Sequence, residues 1–174
     1  AEERVVRAWQ ACCGIAAEYG LDVVWEFEPG FAFNKPSEIV RIHDAVNRGN
    51  FGLLYDTCHG QMVAVVGARQ EGEKEVLGSQ LEFLKMLDGR IRHVHVIDSD
   101  NTCHKDAAGN DETSAHPPFG LGVLDFDVLF PALLKTARLK HGWITIDLCF
   151  WPDAWEATAS CKQRVDELVG RYAS

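Results

Sequence analysis

The sequence has 174 residues, of which 47% are hydrophobic and 25% charged, and its formal net charge is −9. This composition excludes a disordered chain, because the apolar content is large enough to offset the conformational entropy lost on folding. The acidic balance excludes a nucleic-acid backbone as the main partner, since phosphate binding needs clustered lysine and arginine. The length predicts one domain over residues 1–174.

No apolar run approaches the ~18 residues of a membrane-spanning helix, so we expect no membrane partner. The six cysteines form no CxxC pair. Unpaired cysteines at such spacings favour reduced thiols and a cytoplasmic location.

The first part of the chain predicts two helices that alternate with two strands. Apolar side chains recur at three-to-four spacing over residues 2–19, which is typical of an amphipathic helix. The β-branched and aromatic residues of 21–28 predict a strand. A second helix is predicted over 36–48, with Pro36 in its first turn, and an almost wholly apolar strand over 51–56.

The same alternation continues to the end of the chain. The predicted elements are a helix over 73–87, a strand over 91–97, a long polar loop over 98–123, a helix over 125–140, a strand over 143–148 and a closing helix over 153–172. Strict alternation predicts parallel strands with right-handed crossovers. A loop as long as the one after the third strand is more often functional than filler.

Each predicted strand is apolar until its C-terminal end, where it provides a carboxylate or an imidazole. These residues are Glu26 and Glu28; Asp56, followed by His59; His93 and His95, followed by Asp98; and Asp147. The C-terminal ends of parallel strands share one rim, where ligands bind. A donor from each of four strands therefore predicts a metal site there. Three carboxylates and one imidazole favour Mn²⁺, Mg²⁺ or Co²⁺, with Zn²⁺ as an alternative.

Spacing alone leaves several assignments open. Glu26 and Glu28 share a strand face, as do His93 and His95, so both members of a pair are not assumed to be ligands. In the long loop, His104, Glu112 and His116 could line the mouth of the site or be ordinary solvated residues. The segment Gly120-Leu121-Gly122 is interpreted as turn chemistry, because its context is wrong for a dinucleotide-binding loop.

Four segments of the sequence resemble successive signatures of the xylose isomerase-like TIM barrels, and within them the sugar phosphate isomerase/epimerase group. They are Glu26-Phe27-Glu28-Pro29, Tyr55-Asp56-Thr57-Cys58-His59, Val94-His95-Val96-Ile97-Asp98 and Gly120-Leu121-Gly122-Val123-Leu124-Asp125-Phe126. The resemblance covers nearly the whole chain. It implies an α/β fold that is the C-terminal half of a (β/α)8 barrel, with about four parallel strands, because a full barrel needs about 250 residues.

The resemblance also implies roles for individual residues. The metal ligands would be Glu26, Asp56, His95 and Asp147, with Glu26 and Asp147 as the catalytic acid/base pair. The residues expected to contact substrate are His59, Glu28, Asp98 and His116. Asp147 is a departure, because the family usually has glutamate there and aspartate is one methylene shorter.

The implied activity is isomerisation or epimerisation of a small sugar or sugar phosphate. A base removes a proton beside a carbonyl, through an enediolate that a divalent metal cation stabilises. Two alternatives stay open. One is another metal-dependent enzyme of this scaffold, either a polyol dehydratase or lyase or a phosphodiesterase resembling the apurinic endonucleases. The other is a non-catalytic, truncated homologue that binds metal or sugar.

A half-barrel has exposed sheet edges. We therefore expect either that the sequence is part of a longer chain or that two copies associate as a homo-oligomer that covers these edges.

Overall fold

The computed structural model describes residues 1–173, which form an α/β fold. The helices are α1 (Glu2–Glu18), α2 (Pro36–Val46), α3 (Thr57–Gln61), α4 (Gln80–Met86), α5 (Phe126–Thr136) and α6 (Ala154–Tyr172). The strands are β1 (Val23–Glu26), β2 (Phe51–Asp56), β3 (Ile91–Val96), β4 (Cys103–Lys105), β5 (Asp111–Ser114) and β6 (Thr145–Ile146). Among the described residues, no helix is long and apolar enough to span a membrane.

Four parallel strands form the main sheet, in the order β1-β2-β3-β6. Glu26 of β1 is in register with Leu54 of β2, Asp56 with His95 of β3, and His95 with Thr145 of β6. This register brings the carboxyl ends of all four strands to one rim. The predicted half-barrel of four parallel strands is confirmed.

The hydrophobic core lies between this sheet and the helices. Ile39 of α2, Phe83 of α4 and Leu133 of α5 are fully buried against it. Tyr55 of β2 is also fully buried, and its hydroxyl donates to the side-chain oxygen of Gln80 at 2.6 Å. The core follows β3 along its whole length, from Ile91 to Val96, so the strand is held up to the end at which the polar groups lie.

The segment between β2 and β3 differs from the prediction of one helix over 73–87. The chain enters α3 directly after β2, because Asp56 accepts hydrogen bonds from the first backbone N–H groups of that helix. A π-helical turn, Met62–Val66, follows. Leu77 then donates its N–H to the carbonyl of Ala64, which holds the preceding residues as a loop. Helix α4 begins only after Ser79, whose hydroxyl caps it by accepting from the N–H of Glu82.

The predicted loop over 98–123 contains an antiparallel hairpin, formed by β4 and β5. Both ends of this loop are held by Asp98, which is buried. Its Oδ2 accepts from the N–H groups of Gly120 (2.9 Å) and Gly122 (3.2 Å), and its Oδ1 from those of Ser99 (2.9 Å) and Leu124 (3.0 Å). A Cβ atom on Gly122 would overlap this carboxylate, which explains the glycine.

The last two predicted elements before α6 are shorter than expected. The strand predicted over 143–148 contains only Thr145–Ile146, and Trp143 is largely exposed. The helix predicted over 125–140 ends at Thr136, because the next residue is extended and its backbone leaves the helical path. With only two residues of β6 paired to β3, this end of the sheet is its weakest edge.

Candidate metal centre

Four side chains from four strand ends converge at the rim of the sheet. Glu26, Asp56, His95 and Asp147 each offer one ligand atom, and these atoms lie within 4.8 Å of one another. The Nδ1 atom of His95 lies 3.3 Å from Glu26 Oε1, 3.3 Å from Asp147 Oδ2 and 4.0 Å from Asp56 Oδ2. The shorter side chain of Asp147 therefore still reaches the cluster.

The donor atoms of this cluster fit a divalent cation. Glu26 Oε1, Asp56 Oδ2 and His95 Nδ1 are buried and have no hydrogen-bond partner among the described residues. Each buried polar atom left without a partner costs about 1–3 kcal/mol. Ligand atoms at ~2.1 Å from a tetrahedral cation are about 3.4 Å apart, close to the separations around His95 Nδ1. A cation at the centre would satisfy all of these atoms at once.

The charges of the cluster shift the pKa values of its members strongly. Burial alone would lower the pKa of His95, but the carboxylates of Asp147 and Glu26 outweigh it and raise that pKa to about 10. Burial would raise the pKa of Asp147, but His95, His116 and the N–H of Cys149 lower it to about 2. Without a cation, a proton on His95 partly neutralises the carboxylates. A cation that takes Nδ1 as a ligand must displace this proton.

Asp56 uses its two oxygens for different purposes. The Oδ1 atom accepts from the N–H groups of Cys58 (2.7 Å) and His59 (2.9 Å), and it lies 3.6 Å from Nε2 of His116. Burial alone would raise the pKa of this carboxyl group, but His116 and His59 outweigh burial, and the pKa is lowered. The Oδ2 atom is left for the cluster. Asp56, His59 and His116 form a second group whose donor atoms lie within 4.8 Å.

The cluster opens into a cavity of about 760 Å³. Glu28, His59 and His116, which the sequence predicts as substrate contacts, all line it. Asp98 is absent from the described lining, because its oxygens are committed to the loop backbone as described above. The structure thus gives Asp98 an anchoring position in the loop, and its predicted contact with substrate stays a prediction.

The geometry also separates residues that spacing left undecided. His93 lies beside the cluster, with Nε2 2.9 Å from the hydroxyl oxygen of Thr145, whereas His95 faces the carboxylates.

Burial raises the pKa of Cys58 far above its ordinary value, and its thiol donates to the carbonyl of Ala115. Cys58 is therefore a protonated thiol held within the protein and is unsuited to act as a nucleophile.

Sequence reasoning missed several residues of the cavity, among them Arg69 and Phe150. Arg69 lines it and donates to the backbone carbonyl of Glu112 on β5. Phe150 lines it and stacks on the ring of His104, with centroids 4.0 Å apart. Neither residue belongs to a motif or ends a predicted strand, so nothing in their spacing indicates the cavity.

Residues 1–163 match the sequence model of the family described as xylose isomerase-like TIM barrel. The chain belongs to this family. The family resemblance of the four sequence segments is thereby confirmed.

Curated relatives in the family include an inosose isomerase of Bacillus velezensis, 27% identical over 165 residues, which cover 91% of this chain and 52% of the relative. An inosose dehydratase of the same species is 26% identical over 140 residues, covering 76% of this chain and 42% of the relative. The chain thus spans about half the length of the curated relatives it matches.

Solved structures show the same fold. A structure of the IolI protein with a bound zinc atom has a TM-score of 0.66 and 24% identity, over 98% of this chain and 57% of that one. A D-tagatose 3-epimerase-like protein has a TM-score of 0.63 and 19% identity, over 92% of this chain and 51% of that one. The four strands and their helices therefore correspond to part of a TIM barrel.

Proposed function

We propose that this chain carries the metal centre of an isomerase or epimerase that acts on a small sugar or a related cyclic ketone. The observation that carries the proposal is the convergence of Glu26, Asp56, His95 and Asp147, with three buried donor atoms that lack partners among the described residues. The named activities of the isomerase and epimerase relatives support the reaction class.

The four cluster residues would hold a divalent cation, which would polarise a substrate carbonyl and favour negative charge on its oxygen. Glu26 and Asp147 both line the cavity, and each has an oxygen 3.3 Å from Nδ1 of His95. In the proposal, each takes or returns a proton at a carbon beside the carbonyl. His95, His116 and a backbone N–H keep Asp147 ionised, so its carboxylate carries no proton at neutral pH, but the same contacts lower its basicity.

The remaining cavity residues would bind and orient the substrate. Glu28 and His59 lie on the same wall, with His59 Nε2 3.9 Å from Glu28 Oε2. Carboxylate acceptors and imidazole donors are suited to the hydroxyl groups of a sugar or polyol. His116, which is buried beside Asp56, would contact the part of the substrate nearest the cation.

A dehydratase is the second candidate, favoured by the similarity to an inosose dehydratase. Dehydration also begins with removal of a proton beside a carbonyl, so the same carboxylates could serve it. The difference lies in the next step, in which a neighbouring hydroxyl group leaves as water and a proton is not returned to carbon.

One experiment tests both candidates. Calorimetric titration with Mn²⁺, Co²⁺ and Zn²⁺ should show one strong site, which Asp56→Asn abolishes. Incubation of the loaded protein with ketoses and inososes in D₂O should then be followed by NMR. Isomerised or epimerised product carrying deuterium supports the proposal, whereas loss of water supports the dehydratase. Absence of metal binding would overturn both, and metal binding without any product after long incubation would favour a non-catalytic protein.

The proposal extends to assembly and location. The outer edges of β1 and β6 have no strand partner among the described residues. We propose that a second copy covers these edges, so that light scattering should give the mass of a dimer. A stable monomer would contradict this part of the proposal. All six cysteines are free, which favours a cytoplasmic protein.

A further inference from the structure

We infer that Ser114 is a positioning residue that holds the ring of His59 as the Nε2–H tautomer, so that an N–H donor points into the cavity. The inference rests on the proposed function for the nature of the substrate, a molecule rich in oxygen. The tautomer itself depends only on contacts within this chain.

The segment that ends the β4–β5 hairpin lies against the candidate site. The hydroxyl of Thr113 donates to Glu28 Oε2 at 2.9 Å, and Ser114 Oγ lies 2.8 Å from Nδ1 of His59. Two residues further on, His116 reaches Asp56. Three residues of one short segment thus each touch a different residue of the candidate site. The hairpin is built to orient the site as well as to form its wall.

The other nitrogen of His59 decides which way the bond to Ser114 runs. Nε2 lies 3.9 Å from Glu26 Oε1 and 3.9 Å from Glu28 Oε2. Facing two carboxylate oxygens, an N–H at this position is attracted, whereas a lone pair is repelled. A neutral imidazole with its proton on Nε2 has an acceptor at Nδ1. The hydroxyl of Ser114 must then donate to it.

Burial of both partners supports the assignment of the Nε2–H tautomer. His59 is 2% exposed and Ser114 is fully buried, so bulk water cannot replace either partner. The backbone N–H of His59 donates to Asp56, which holds the backbone position from which the side chain extends. A change of tautomer would turn the Nε2 lone pair toward the two carboxylates and reverse the bond to Ser114, whose hydroxyl would then need another acceptor. Its Nε2–H is therefore a preset donor for a carbonyl or hydroxyl oxygen that enters between Glu26 and Glu28.

The test is long-range ¹H–¹⁵N NMR of the full chain with ¹⁵N-labelled histidine, in mildly alkaline buffer. We expect the wild-type His59 to show the Nε2–H pattern. Ser114→Ala should give a mixture of His59 tautomers. It should also raise the KM for the ketose or inosose that the protein turns over about five-fold, the worth of one neutral hydrogen bond, with a smaller change in kcat. Ser114→Thr, which keeps the hydroxyl, should restore the wild-type spectrum. Thr102→Ala removes a hydroxyl from the same loop that, among the described residues, bonds only Asp100, and should leave the His59 spectrum unchanged.

Three results would overturn the inference. They are an Nδ1–H pattern in the wild type, a spectrum of Ser114→Ala identical to that of the wild type, and loss of the Nε2–H signal on adding one equivalent of Zn²⁺. The last would make His59 a metal ligand. The wild-type measurement needs no variant, so a Ser114→Ala protein that fails to fold does not remove the test. Failure of the proposed function would appear separately, as absent metal binding or turnover with the tautomer pattern intact.

Discussion

Replacing Asp98 with asparagine should destabilise the protein strongly. The two carboxylate oxygens accept four backbone N–H groups, two at each oxygen. An asparagine keeps one oxygen and so two of these bonds. The other two N–H groups would face an NH₂ donor, and hydrogen bonds to a charged group are worth about 1.5–3 kcal/mol each. The expected loss is about 3–6 kcal/mol in the free energy of unfolding.

Urea unfolding followed by circular dichroism measures this loss, as a lower midpoint at an unchanged slope. In a thermal scan, the same loss corresponds to a decrease in Tm of roughly 6–24 °C for a chain of this size. Asp100→Asn is the matched control, because Asp100 lies on the exposed part of the same loop and, within residues 1–173, its side chain bonds only Thr102. It should cost less than about 1 kcal/mol. A comparably small loss for Asp98→Asn would refute the anchoring role.

Three further changes have defined outcomes. Gly122→Ala should destabilise the protein by at least about 1 kcal/mol in the same urea assay, because the new Cβ would overlap the carboxylate of Asp98. Asp147→Asn should weaken metal binding at least about tenfold by calorimetry, whereas Asp153→Asn, outside the cluster, should not. Arg90→Gln should cost less than about 1 kcal/mol at neutral pH, since Arg90 lowers the pKa of the half-exposed Asp44. A lowered carboxyl pKa stabilises the fold only above its unfolded value, so this difference should vanish as the pH falls through the lowered pKa.

The convergence of the four cluster residues could be predicted from the sequence, because their positions follow from two regularities. Parallel strands end at one rim, and strands in the core are apolar until they reach it. Asp56 and His95 stand at the ends of apolar runs. Both could therefore be placed at the rim of the sheet from the sequence alone. The choice of His95 over His93 came from the family resemblance, because spacing alone does not give the register of β3 against its neighbours.

What the sequence missed depends on contacts between distant segments. Asp98 ends an apolar strand just as Asp56 does, yet its carboxylate binds backbone N–H groups more than twenty residues away. The helix predicted over 73–87 has suitable apolar spacing, but the bond from Leu77 to Ala64 draws its first half into a loop. Hydrophobic periodicity and secondary-structure propensity depend on residues close together in the sequence. Neither describes a contact between distant segments.

The order of the strands in the sheet also governs when the site can form during folding. Each strand of the sheet pairs with the one that precedes it, from β1 to β6. A chain synthesised from its N-terminus can therefore add strands in the order in which they emerge. Asp147 follows the last and shortest of them, so the cluster lacks its fourth ligand until β6 docks. Tight metal binding would then report that the sheet is complete, and a metal present during synthesis would meet only three ligands first.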